Sequence, residues 1–146
     1  MNFFTRMQDA KASGDYAGFI GEIPYAKTIG MQMHEDDDEE SLTFVLPFLE
    51  SNIGNHLLPA LHGGVIGGFM ESAALLQIIW MQESSELPRT IDFSLDYLRS
   101  GKAETLYAKC TVSKKGRRVA NVVVSAWQEN AERPIAVARS HILLIE

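Results

Sequence analysis

Glu71 is the only acid in the twenty-residue stretch from His62 to Met81, a run that is otherwise apolar apart from its glycines, Ser72 and Gln77. A helix apolar on nearly every face is a buried helix, and an unpaired carboxylate inside one is costly. Either Glu71 has a structural partner or it does chemistry. The start of the same stretch, His62-Gly63-Gly64, stands where a polar loop becomes the helix, so its first amides have no intrahelical carbonyl to bond. With the positive end of the helix dipole behind them, these amides suit a carbonyl oxygen that gains negative charge, as acyl transfer requires. Glycine there would let a ligand approach the backbone closely, whereas the plainer use of Gly63, Gly64, Gly67 and Gly68 is close packing. Gly67 and Gly68, inside the helix, read as packing residues; Gly63 or Gly64 reads as functional. Glu71 lies eight residues beyond Gly63. At 1.5 Å per residue that is roughly 12 Å along the axis, too far for one chain to bring both to one carbonyl carbon. An antiparallel second copy of the helix would place its Glu71 beside this Gly63, and a two-fold dimer would have two such sites.

The elements that must position these groups follow from periodicity. Residues 3–21 read as one or two short amphipathic helices, broken at Gly14 and ending near Gly21, and form with residues 22–24 an expected N-terminal cap, 1–24. Residues 25–146 read as one domain. After Ala26–His34, an acidic run over 35–40 is expected as a solvated hairpin tip before a strand at Leu42–Leu46, where apolar residues alternate. Residues 51–61 form a polar loop that feeds the helix. Beyond Leu87-Pro88 the period becomes two, with Ile91, Phe93, Leu95 and Tyr97 on one face against Thr90, Asp92, Ser94 and Asp96 on the other. Three further strands are expected at 104–113, 118–129 and 134–145, separated by turn compositions at 114–117 and 130–134. Helices, one or two strands, a long helix and four consecutive strands make an α+β pattern in which an antiparallel sheet wraps one buried helix.

The totals narrow the function. A net charge of −6 disfavours nucleic acid as the main partner. Lone Cys110 rules out an intramolecular disulfide, and no Cys/His cluster has zinc-like spacing, so no metal is expected. The six adjacent acids of 35–40 lack the spacing and glycine of a calcium loop. The 62–81 stretch is long enough to span a membrane, but its glycines, Glu71, Ser72 and Gln77 and the strands that follow argue against it. No secretory signal is visible at the N-terminus. The default is a cytoplasmic, metal-free protein. His34 and His141 read as packing or surface residues, with no acid or second histidine at useful spacing.

The segment His62-Gly63-Gly64, with Glu71 and Ala73 beyond it, preceded by a polar loop and followed by Ile91-Asp92-Phe93-Ser94-Leu95-Asp96-Tyr97-Leu98-Arg99, resembles the hotdog-fold acyl-CoA thioesterases of the PaaI and 4-hydroxybenzoyl-CoA group. The resemblance covers roughly residues 25–145. It implies a curved antiparallel sheet around a long helix, a homodimer or homotetramer with sheets paired edge to edge, and hydrolysis of acyl-CoA between subunits with no cofactor beyond the substrate's coenzyme A. It also implies roles: the Gly63 amide polarises the thioester carbonyl, with His62 and Gly64 beside it in the substrate site. Glu71 of the other subunit is general base or nucleophile, and Thr90 matches a Ser or Thr that contacts the catalytic water in some members. His56 departs from the pattern, standing where the family has Asn or Gln that positions the carbonyl or water. The cluster Lys114-Lys115-Gly116-Arg117-Arg118 is either a solvated turn that blunts a sheet edge or, through Lys115, Arg117 and Arg118, a seat for coenzyme A phosphates.

Two other readings stay open. A hotdog hydroxyacyl-thioester dehydratase would use His56 and Glu71, fifteen residues apart, although His56-Leu57-Leu58-Pro59 lacks that family's His-Phe-Pro. A non-catalytic acyl-CoA-binding module would leave Glu71 without a purpose. Phe69, Met70, Trp80, Leu57 and Leu58 are the candidates for an acyl pocket, with core packing the simpler role for most of them.

Overall fold

A computed structural model describes residues 3–37, 41–82 and 85–144, apart from the side chains of Lys114 and Lys115. Three short helices, α1 (Phe3–Ser13), α2 (Tyr16–Ile20) and α3 (Pro24–Ile29), precede strands β1 (Gln32–Glu35) and β2 (Leu42–Leu46). A 3-10 turn at Glu50–Asn52 leads into a small hairpin of β3 (Ile53–Asn55) and β4 (Ala60–Leu61), then helix α4 (Gly63–Met81). Strands β5 (Arg89–Tyr97), β6 (Leu106–Lys115), β7 (Val119–Trp127) and β8 (Ala136–Leu143) complete the chain. The main sheet has six antiparallel strands in the order β1-β2-β6-β7-β8-β5.

Small residues make the seat for the helix. Ala108, Ala126, Ala136 and Ala138 face inward on three neighbouring strands, all at 0% exposure. Ala108 stands opposite Ala126, and Ala126 opposite Ala136. Against this floor α4 lays Ile66, Phe69, Met70, Ala73 and Ile78, each buried. Large side chains on the helix thus meet small ones on the sheet, which keeps the layers close without voids. The expected α+β fold, an antiparallel sheet around a long central helix, is what the chain adopts. Although long and apolar enough to cross a membrane, α4 is the core helix of this sheet.

Four local expectations need correction. The polar loop 51–61 contains the β3–β4 hairpin, closed by the bond from His62 N to Asn52 O at 2.9 Å. The turn expected at 114–117 begins later, because β6 runs through Lys115. A bulge between Thr90 and Asp92 drops Ile91 out of the ladder, leaving it 55% exposed, and turns Thr90 inward opposite buried Ile142. The acidic run is not wholly solvated. Asp36 is half-buried and binds Lys109 Nζ at 2.8 Å, Ser41 Oγ at 2.7 Å and Thr43 Oγ1 at 2.6 Å, fastening the β1–β2 turn to β6. Burial pushes the Asp36 carboxyl up, but the hydrogen bonds from Lys109, Thr43 and Ser41 outweigh it and hold the group below its usual range. Asp38, Glu39 and Glu40 lie outside the described residues.

At the far end of α4, Lys11 Nζ donates to Trp80 O at 2.6 Å and sits 4.4 Å from the centre of the Trp80 ring. A cation on the last carbonyls complements the helix dipole and pins α1 to the core. Gly14, at φ +78°, provides the left-handed turn between α1 and α2.

Candidate active site

The entrance of α4 is fixed by its cap. His62 is extended, at φ −63° and ψ 128°, and its Nδ1 accepts the Gly64 N–H at 2.9 Å. That contact puts the imidazole proton on Nε2. It also takes up the Gly64 amide, so of the two glycine donors expected in the site only the Gly63 N–H makes no hydrogen bond to a described residue. A free N–H at the first helical position, backed by the dipole, is a donor poised for an oxyanion. Tyr97 holds the next peptide, the one whose N–H His62 takes up: its hydroxyl donates to Gly63 O at 2.7 Å. A Cβ on Gly63 would meet Tyr97 Oη at 3.3 Å, and one on Gly67 would meet Leu95 Cδ2 at 3.3 Å. The glycines let β5 lie directly on the first turns of α4, and Tyr25 packs on Gly68 in the same way. A cavity of about 380 Å³ opens at this entrance, bordered by Gly63, Ile66, Tyr97, Arg99 and Ser100.

Glu71 is not buried as expected of a helix apolar on every side. Gly67, Gly68, Glu71, Ser72 and Leu75 are all half-buried and form one open stripe along α4, because residues three and four apart share a face. The Glu71 carboxylate has no hydrogen-bond or ion-pair partner among the described residues. It lies on the unbroken helix that begins at Gly63, so the separation of roughly 12 Å stands.

Thr90 is the second residue of β5, whereas Tyr97 closes the strand beside Gly63. Seven residues of strand put Thr90 roughly 23 Å from that end. Its Oγ1 is buried without a hydrogen-bond partner among the described residues, as is Gln77 Oε1 on α4. His56 sits in the exposed turn between β3 and β4, with no hydrogen bond to a described residue. Leu57 and Leu58 beside it are 93% and 73% exposed, whereas Phe69, Met70 and Trp80 are core. Arg117 and Arg118 stand at the β6–β7 turn. That turn is the opposite end of the sheet from Gly63, since β7 returns from it to the level of β5's last residues. Within one chain, then, Gly63, His62 and Gly64 are brought together, and Glu71, Thr90 and the basic turn are not.

These positions separate sharply by end of the sheet. The sequence pattern of the thioesterase superfamily matches residues 58–135, which takes in β4, His62, all of α4 and strands β5 to β7. The chain belongs to the thioesterase superfamily. A relative of this thioesterase-superfamily chain, the medium/long-chain acyl-CoA thioesterase YigI of Escherichia coli (strain K12), is 26% identical over 86% of this chain and 87% of its own length. Among solved structures, a Chromobacterium violaceum protein is 48% identical, covers 97% of this chain and 98% of its own, and superposes with a TM-score of 0.81. A phenylacetic acid degradation-related protein from Ralstonia eutropha JMP134, at 22% identity, covers 98% of this chain and all of its own with a TM-score of 0.76, a likeness of fold.

Two features escaped the sequence. Tyr97 was legible only as the last member of an alternating face, although an aromatic hydroxyl level with a glycine helix start is a signal. His141 does have an acid: its Nδ1 lies 2.8 Å from Asp92 Oδ1 across the β5–β8 pair, a partnership set by register and invisible to sequence spacing. The hydrogen bond from His141 holds the Asp92 carboxyl below its usual range.

Proposed function

We propose that the chain hydrolyses acyl-CoA thioesters at a site built between two copies of itself. The Gly63 N–H of one copy would receive the thioester oxygen, and Glu71 of the other would act on the carbonyl carbon, by deprotonating a water or by direct attack. With water as nucleophile, its oxygen bonds to the carbon as the carbon–sulfur bond breaks, and the proton that Glu71 takes passes to the leaving thiolate. With direct attack, Glu71 is acylated as the thiolate leaves and water then cleaves the anhydride, so either route yields the free acid and coenzyme A thiol. The observation that carries the reading is the pairing of a free amide at the α4 entrance with an unpartnered carboxylate on the open face of the same helix. The first is a donor with no acceptor; the second is a base with no proton source. Neither has a partner among the described residues, and an antiparallel second copy would give both a common target.

Three facts support a second copy. Strand β5 ends the sheet, so one side of its nine-residue backbone has no strand beside it among the described residues. Ile91, Tyr97 and Leu98, on or just beyond β5, are each more than half exposed. The α4 stripe is lined by glycine, which suits close approach of another chain. We read the assembly as a homodimer, or a dimer of dimers, working in the cytoplasm with no metal or cofactor. His56 and Thr90 are assigned to the water and carbonyl, with Thr90 arriving with Glu71 from the second copy. The acyl-CoA substrate is supported by the activity of YigI.

A free-thiol assay over short, medium, long and aromatic acyl-CoA substrates tests this directly. Thiol release by wild type and its loss by orders of magnitude in Glu71→Gln are expected. Hydration of an enoyl thioester without thiol release would assign the site to dehydratase chemistry instead.

A further inference from the structure

Arg99, Lys102 and Arg133 line one concavity of about 300 Å³, beside the cavity that holds Gly63. The two share Arg99 and Ser100 as a common wall. This is a concentration of positive charge in a chain whose net charge is −6. One acid, Glu129, borders the concavity, 3.5 Å from Lys102 Nζ. Arg133 has no partner for its guanidinium among the described residues.

The concavity is a built one. Arg99 Nε donates to Pro134 O at 3.2 Å, which anchors the root of the guanidinium and leaves its terminal nitrogens unbonded to described residues. Gln128 clamps the neighbouring loop in both directions: its Oε1 accepts the Lys102 N–H at 2.9 Å, and its Nε2 donates to Lys102 O at 2.9 Å. Buried Ile135 forms the floor, and a Cβ on Gly101 would meet both Ile135 Cδ1 and Ile66 Cδ1 of α4 at 3.2 Å. The loop bearing the cations is thus packed on the same helix whose first amide is free. Held guanidiniums lose less freedom on binding a phosphate than free ones do, and can bind it through two parallel hydrogen bonds.

We propose that this concavity binds the phosphates at the nucleotide end of coenzyme A, in the same chain whose Gly63 binds the thioester. The inference rests on the acyl-CoA reading. It gives the ligand a continuous path, from carbonyl at Gly63, past Tyr97 and Ser100, to phosphate at Arg99, Lys102 and Arg133. The basic β6–β7 turn offers no such path within the chain: the length of β7, roughly 30 Å, separates it from this end of the sheet.

The test compares acyl-CoA with the corresponding acyl-pantetheine, which lacks the nucleotide, on wild type and Arg133→Glu. Arg133 is exposed in a turn, so the variant should fold as wild type does. The expected result is a KM for acyl-CoA raised about tenfold or more, an unchanged kcat, and unaltered kinetics on acyl-pantetheine. Equal changes on both substrates, or none on either, would overturn the proposal. Calorimetric titration with coenzyme A alone separates its failure from that of the thioesterase reading. Binding weakened about tenfold in Arg133→Glu upholds the subsite even if wild type releases no thiol; equal binding by both proteins overturns it even if thiol is released. Arg117→Glu with Arg118→Glu should leave the binding of coenzyme A alone stronger than Arg133→Glu does, and the reverse order would move the phosphates to the turn.

Discussion

Replacing Gly63 by proline removes one hydrogen atom that the proposed chemistry requires and little else that the fold requires. Position 63 is the first residue of α4, where the amide has no intrahelical acceptor and proline's fixed φ is already helical. The contact with Tyr97 uses the Gly63 carbonyl, not its amide, and so survives the change. Because Gly64 N–H is bound to His62 Nδ1, α4 contributes one donor to the oxyanion rather than two, and no neighbouring amide is free to substitute. Loss of a single oxyanion donor lowers kcat by about 10²–10³, or roughly 3–4 kcal/mol of transition-state stabilisation. Gly63→Ala is the control for size. It keeps the N–H, and its Cβ would meet Tyr97 Oη at 3.3 Å, a contact relieved by a shift of a few tenths of an ångström. Its kcat should stay within about tenfold of wild type. Steady-state hydrolysis of the best acyl-CoA, with thermal melts to show that both variants fold, makes the comparison. Equal losses in alanine and proline variants would show that the site tolerates no side chain, and would refute the argument from the amide.

Other consequences follow from particular contacts. His62→Ala removes the helix cap and should lower stability by about 1 kcal/mol, read as a lower Tm, while releasing the Gly64 amide. Tyr97→Phe removes the hydroxyl from Gly63 O; it should lower kcat several-fold with little change in KM for acyl-CoA, whereas a change confined to KM would assign Tyr97 to binding. Asp36, held below the usual carboxylate range, contributes stability that is complete above its unfolded pKa of about 4 and is lost as pH falls through its lower folded value. The Tm of wild type should therefore fall faster than that of Asp36→Asn below about pH 4, and parallel curves would contradict the role of the Lys109 pair. Activity should be unaffected by EDTA, and inhibition reversed by added metal would overturn the metal-free reading.

The helix entrance was legible because glycine, histidine and an isolated acid are chemically unambiguous in an apolar run. The fold class was legible because Phe93, Leu95 and Tyr97 alternate and the strands of the second half are separated by strong turn compositions. What could not be read depends on register. The bulge that turns Thr90 inward and leaves Ile91 exposed changes one residue's pairing without changing the pattern of residue types. The meeting of Asp92 with His141, and of Arg99 with Arg133, joins residues far apart in sequence across strands whose alignment only the packed sheet determines. Glu71 was expected in a buried helix because composition does not tell which face a small-residue stripe leaves open. That the stripe is open makes the acid available to a second chain.

A hybrid dimer tests that availability most directly. Chains carrying Glu71→Gln and chains carrying Gly63→Pro, each inactive alone, are unfolded together, refolded as a mixture and assayed for thiol release. If the site joins Gly63 of one copy to Glu71 of the other, each hybrid has one site with both native groups and one with neither. Random pairing makes about half of the dimers hybrids, so activity should recover to about a quarter of wild type. If Gly63 and Glu71 act within one chain, every site in every dimer carries a defect, and the mixture stays as inactive as its parents.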